Sequence, residues 1–87
     1  MDQRKKFLVG LKDFLGNGAA GVIRERIIKN QNRDFSISYI NMVLDTEDSR
    51  YNEIIVREAL DYGKEKRAEQ DKLANEVKSI VGSTKSL

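Results

Sequence analysis

The chain has 87 residues, with no cysteine, histidine or proline, and a formal net charge of +2. Residue type alone excludes disulfides, thiolate zinc sites and imidazole catalysis, and with them the small disulfide-stapled secreted scaffold. No apolar run approaches the ~20 residues of a membrane span, and no signal-peptide core follows the basic N-terminus, so a cytoplasmic protein without a membrane partner is the default expectation.

Few aromatics, no proline and many Lys, Arg, Glu, Ile and Leu predict an all-α chain. The length fits one domain, expected over residues 1–81 with a flexible tail at 82–87. Residues 2–15 are expected to form a first helix. Phe7, Leu8, Leu11, Phe14 and Leu15 make its apolar face, with Lys5, Lys6, Lys12 and Asp13 opposite. Asp2 lies near the positive end of its dipole. Arg4-Lys5-Lys6 reads as a solvated face, with a phosphate contact as the alternative. Gly16-Asn17-Gly18 ends the helix, because Gly and Asn tolerate the left-handed backbone that closes one.

A second helix is expected over residues 19–30. Ala19, Ala20, Ile23 and Ile27 form its buried stripe, flanked by Val22 and Ile28, with Arg24, Arg26 and Lys29 toward solvent. The segment 30–34 has no apolar residue and strong turn formers, so it connects. Ser36–Leu44 then reads as a short helix with two unlike faces. Ser36 is its N-cap, and Phe35 and Ile40 sit at the staple positions. Ile40, Val43 and Leu44 form the buried back, while Ile37, Ser38, Asn41 and Met42 face forward. A short helix held by its back, with small polar and apolar groups forward, suits a DNA major groove. This stretch is therefore the candidate recognition helix.

Asp45–Arg50 is a polar loop whose side chains can bond back to local backbone. A last helix starts near Asn52, with Ile54, Ile55, Ala59, Leu60 and Tyr62 on its core face. The apolar pattern lapses over residues 64–72 and resumes with Leu73, Ala74, Val77, Ile80 and Val81. Either one long helix of ~45 Å over residues 52–81 projects from the globule, or two helices meet near Gly63. The fold expected is thus an all-α, four-helix domain with a helix-turn-helix and a long C-terminal helix. The stripe at Leu73, Val77 and Ile80 needs a covering surface, which predicts a homodimer. The rival reading is a helical protein–protein interaction module that docks this stripe on a partner.

Charge is unevenly placed. Residues 1–44 hold eight Lys/Arg against four Asp/Glu, net +4, and residues 45–87 hold eight against ten, net −2. The positive half contains the candidate recognition helix, as an electrostatic footprint for nucleic acid would.

The run Ser36-Ile-Ser-Tyr-Ile-Asn-Met-Val-Leu-Asp45 resembles the Ser-x-x-Thr-Val-Ser-x-Val-Val/Leu-Asn run of the lac-repressor-type and phage-repressor-type helix-turn-helix families. The likeness extends over roughly residues 19–62, through Arg50-x-Asn52, Ile54-Ile55 and Ala59. It implies sequence-specific binding of double-stranded DNA and transcriptional regulation. Base-reading positions would fall on Ile37, Ser38 and Met42, backbone-contacting positions on Tyr39 and Asn41, and a phosphate contact on Asn52. Lys29, Arg33 and Arg50 would neutralise phosphates. Met42 stands where the lac-repressor type carries an arginine, which removes a strong guanine reader. The turn is longer than the family's and lacks its glycine, and Asp45 replaces the closing asparagine. Plainer readings accompany these: Ile37 as core, Met42 as filler, Asn52 as a cap.

Nothing in the sequence assembles catalytic chemistry, a cofactor or a small-molecule substrate. Without His or Cys a site would need paired carboxylates or an activated Lys. The carboxylates lie among Lys and Arg on helix faces, as Glu58 with Tyr62 or Glu65 with Glu69 and Lys72, where surface ion pairs explain them. Asp45-x-Glu47-Asp48 lacks the glycine and distal glutamate of a calcium loop.

Overall fold

The apolar spacings become helices in the computed structural model, which describes the backbone of residues 3–85 and the side chains of residues 3–81. A 3-10 turn spans Gln3–Leu8, followed by α1 (Leu11–Leu15), α2 (Ala19–Gln31), α3 (Ile37–Leu44) and α4 (Glu53–Lys85), with no strand among the described residues. The first half of α4 packs against α1, α2 and α3. Between them Ile23, Ile27, Ile40, Val43, Ile55 and Ala59 have no exposed surface. Each fully buried Ile or Val side chain stabilises the fold by roughly 1.5–3 kcal/mol. Leu8, Leu15, Ala19, Ala20, Leu44 and Val56 complete the core.

The opening segment departs from the single helix expected over residues 2–15. It is a 3-10 turn and a short α-helix, broken at Gly10, whose φ of +84° is left-handed. In a 3-10 turn side chains three apart eclipse, so Lys5 and Leu8 point inward together. Lys5, expected on the solvent side, is fully buried, and Phe7, expected in the core, is 57% exposed. The Lys5 ammonium donates to the backbone carbonyls of Met42 (3.1 Å), Asp45 (3.0 Å) and Asp48 (2.6 Å). It therefore sits at the C-terminus of α3, where the helix dipole is negative and carbonyls lack helical partners. Beside it Arg4 donates from Nη2 to the Ser49 carbonyl at 3.0 Å and lies over the Tyr51 ring. These two cations tie the N-terminal turn to the α3–α4 loop; Lys5 is therefore no part of a solvated face, whereas Arg4 and Lys6 are exposed. Asp2, placed by its charge near a helix start, lies outside the described residues.

α4 is one uninterrupted helix of 33 residues, about 50 Å long at 1.5 Å per residue, in a molecule 56 Å in its longest dimension. Of the two arrangements open for residues 52–81, the long projecting helix is the one formed. Its backbone stays helical through residues 82–85, and residues 86 and 87 lie outside the described ones. Asn52 caps α4, its Oδ1 accepting the N–H groups of Ile54 and Ile55 at 3.0 and 3.4 Å.

Gly63 is buried where α1 crosses α4. A Cβ there would stand 3.2 Å from Leu11 Cδ1 and 3.7 Å from Leu15 Cδ2. Three residues on, Lys66 Nζ donates to the Leu15 carbonyl at 2.8 Å, closing the C-terminus of α1.

Arg26, expected in solvent, bridges α2 to α4. Its guanidinium donates to Glu58 Oε2 at 3.0 Å and to both Glu65 oxygens at 2.6 and 3.3 Å, and lies 5.8 Å from the Tyr62 ring centroid. Glu58 is buried and also accepts from Asn30. Glu58 and Glu65 thus pair across helices, whereas Glu53 pairs with Arg57 along the surface of α4 as the sequence suggested for its carboxylates. The hydrogen bond from Arg26, and then that charge, hold Glu65 below the usual carboxylate range.

Two stability tests follow from these contacts. Lys5→Met removes three hydrogen bonds from a charged donor to backbone carbonyls, and is expected to cost at least ~2 kcal/mol in denaturant unfolding. A change inside the ~0.5 kcal/mol typical of surface positions would show that the ammonium is dispensable. Gly63→Leu should cost about 1–3 kcal/mol by forcing α1 from α4. Gly63→Ala should cost less, because better helix propensity offsets the displaced Leu11; equal effects would refute the close approach.

Candidate nucleic-acid interface

α3 is fixed at both ends and along its back. Ser36 has extended backbone, and its Oγ accepts the Tyr39 N–H at 3.1 Å. Phe35 packs against the core cluster that includes fully buried Ile40, and the cap expected from sequence forms. Ile40, Val43 and Leu44 anchor the back against α2 and α4. At the other end the Asp45 N–H donates to the Asn41 and Met42 carbonyls, and the Lys5 ammonium donates to the Met42 and Asp45 carbonyls.

The opposite side is open. With 100° between successive residues, Ser38 lies opposite the buried trio, with Met42 to one side and Asn41 to the other. Ser38 is exposed, Ile37 is 47% and Met42 38% exposed, and Asn41 is half-buried. Neither α1 nor α4 roofs this face. Ile37 and Asn41 lean toward a groove of about 470 Å³, whose other wall is Lys12, Asp13 and the turn Gly16-Asn17-Gly18 leading into α2. Tyr39 turns the other way, half-buried, its ring centroid 5.8 Å from that of Phe35.

The flanking polar residues divide into two kinds. Lys29, in the last turn of α2, and Arg33, in the turn before α3, are exposed, and neither joins an ion pair among the described residues. Arg50 donates from Nη1 to Asp48 Oδ2 at 2.9 Å, so a nearby anion already offsets its charge. Asp48 is held below the usual carboxylate range, first by the Arg50 N–H and then by the Arg50 charge. Arg24 and Asp34 pair at 2.8 Å across the α2–α3 turn, and that hydrogen bond lowers the carboxylate's pKa. Asn52 has its Oδ1 committed to the α4 cap, which leaves only its Nδ2 to offer a phosphate.

Ser38, Asn41 and Met42 therefore share the outer face, with Ile37 at its edge beside Asn41 and Leu44 and with Lys29 and Arg33 flanking in sequence. Tyr39, Arg50 and Asn52 also serve the fold itself. Sequence reasoning passed over the Gly16–Gly18 turn and Lys12 as part of this surface, although the turn was read as a helix stop. What the face offers is a hydroxyl, an amide and two apolar groups, with no cluster of three His, Cys, Asp or Glu to hold a metal among the described residues. No helix there is long and apolar enough to cross a membrane. No protein-family model matches this chain, and comparison with curated proteins and with solved structures finds no match.

Proposed function

We propose that the chain binds double-stranded DNA through a helix-turn-helix formed by α2, the turn over residues 32–36 and α3, and that it acts as a sequence-specific regulator of transcription. The observation that carries this reading is the open outer face of α3, on a helix whose back, cap and C-terminus are all fixed. Such a helix can enter a major groove without reorganising. Ser38 and Asn41 hydrogen-bond base edges or phosphates, and Ile37 and Met42 press on thymine methyl groups. Lys29 and Arg33 supply phosphate neutralisation, with Arg50 weaker because of Asp48.

Two measurements test it. Affinity for duplex should fall steeply with salt, and Lys29→Ala or Arg33→Ala should each lower the log–log slope by about 0.9. Absence of duplex binding at low salt would sink the proposal and favour the rival protein-interaction module. Ser38→Ala with Asn41→Ala should reduce discrimination between a selected site and random duplex by about 1–3 kcal/mol. The melting temperature should stay nearly constant, since neither side chain belongs to the core; a collapse of stability would mean the face is wrongly assigned.

A further inference from the structure

Among the described residues α4 is exposed from residue 67 to residue 81, including Leu73 at 58%, Val77 at 59%, Ile80 at 68% and Val81 at 48%. Leu73, Val77 and Ile80 follow the four–three spacing of a coiled-coil seam. With Val77 at position a, Leu73 and Ile80 fall at d, Gln70 at the preceding a, and Lys66 at the d before it. Lys66 is the residue that holds the C-terminus of α1. The seam is thus the core-facing side of α4, continuing past the point where its own domain ends.

We infer that this seam pairs with the same seam of a second copy, parallel and in register. Charge favours a copy over a strongly charged partner. Residues 67–79 carry Arg67, Lys72 and Lys78 against Glu69, Asp71 and Glu76, so the segment is neutral and does not repel itself. Within a parallel pair, valine at a with leucine at d suits two strands, although isoleucine at the next d, Ile80, is less selective, and a single polar residue at a, here Gln70, specifies register. An antiparallel pair centred on Leu73 and Val77 would set Glu76 of one copy against Glu76 of the other. Shifting that centre by one layer takes Leu73 off the apolar seam. In the parallel pair leucine meets leucine, valine meets valine and isoleucine meets isoleucine. Both globular heads then lie at the same end of the seam.

A seam of about four layers is short beside the roughly 1,600 Å² of a standard interface. The pair is consequently concentration-dependent. The inference stands apart from the DNA reading, and its test contains no DNA. In sedimentation equilibrium, the mass should rise from 10.0 kDa toward twice that value as protein approaches the millimolar range. Leu73→Lys should raise the dissociation constant at least about tenfold. The chain has no cysteine, so single-cysteine variants report orientation directly. Leu73→Cys and Ile80→Cys, oxidised separately, should each give a covalent dimer, because parallel register sets every seam position against itself. A monomer at all concentrations, an assembly larger than two, an unchanged mass for Leu73→Lys, or cross-linking at only one cysteine would overturn it.

Discussion

A buried ammonium against the end of a helix is the constraint on which the arrangement of this small domain rests. Lys5 reaches across from the N-terminal turn to carbonyls at the C-terminus of α3 and in the loop beyond. Burying a cation is costly unless it is fully hydrogen-bonded, and here its three acceptors are the Met42 carbonyl in the last turn of α3 and the Asp45 and Asp48 carbonyls just beyond it. The one contact therefore meets two needs. It braces the end of an eight-residue helix too short to be stable alone, and it anchors a 3-10 turn that buries little apolar surface besides Leu8. With Ser36 fixing the opposite end, the orientation of α3 is set by polar contacts at its ends and apolar contacts along its back.

α4 acts as the spine on which the other helices are mounted, and each attachment has its own chemistry. α1 approaches closely at Gly63 and is closed by Lys66. α2 is joined by Arg26, held between Glu58 and Glu65. α3 is joined through Val43, Leu44 and the core of α4 around Ile55. The polar attachments stabilise less than the apolar burial does, because Glu65 is largely exposed and its pairing is screened. Their contribution is directional: a planar guanidinium between two carboxylates about two turns apart on one face of α4 admits few registers of α2 on α4.

How much of this could be read from sequence depended on how local the cause was. α3 was legible because its cap and buried stripe both lie within ten residues, from Phe35 to Leu44. The core of α2 and α4 followed from helical spacing, apart from Val56, which the pattern did not single out. Lys5 and Phe7 were misplaced because the reading assumed a 100° step where the chain takes a 3-10 turn. The break at Gly10 was visible as a glycine but carried no sign of its left-handed backbone. Arg26 was misread for a different reason, since its partners lie 32 and 39 residues away and no local pattern names them. On the candidate interface, the outward placement of Ser38 and Met42 was legible from period alone. The engagement of Arg50 by Asp48 lay only two residues away, yet loop geometry had to decide it.

The composition of the outer face bears on how the proposed activities fit together. A face with no arginine lacks the bidentate guanine contact that gives a single recognition helix much of its selectivity. One head bringing Ser38, Asn41, Ile37 and Met42 to a duplex would bind weakly, and a four-layer seam on its own would pair weakly. Two weak associations become strong when each makes the other intramolecular. Under the proposed function, two heads placed on adjacent half-sites would hold their α4 seams at high effective concentration, and a formed seam would deliver the second head to its half-site. Linkage makes this reciprocal: the factor by which pairing tightens DNA binding is the factor by which DNA tightens pairing. A short seam is then an adequate length. A longer one would hold the copies together without DNA, and occupancy would no longer depend on the amount of protein present.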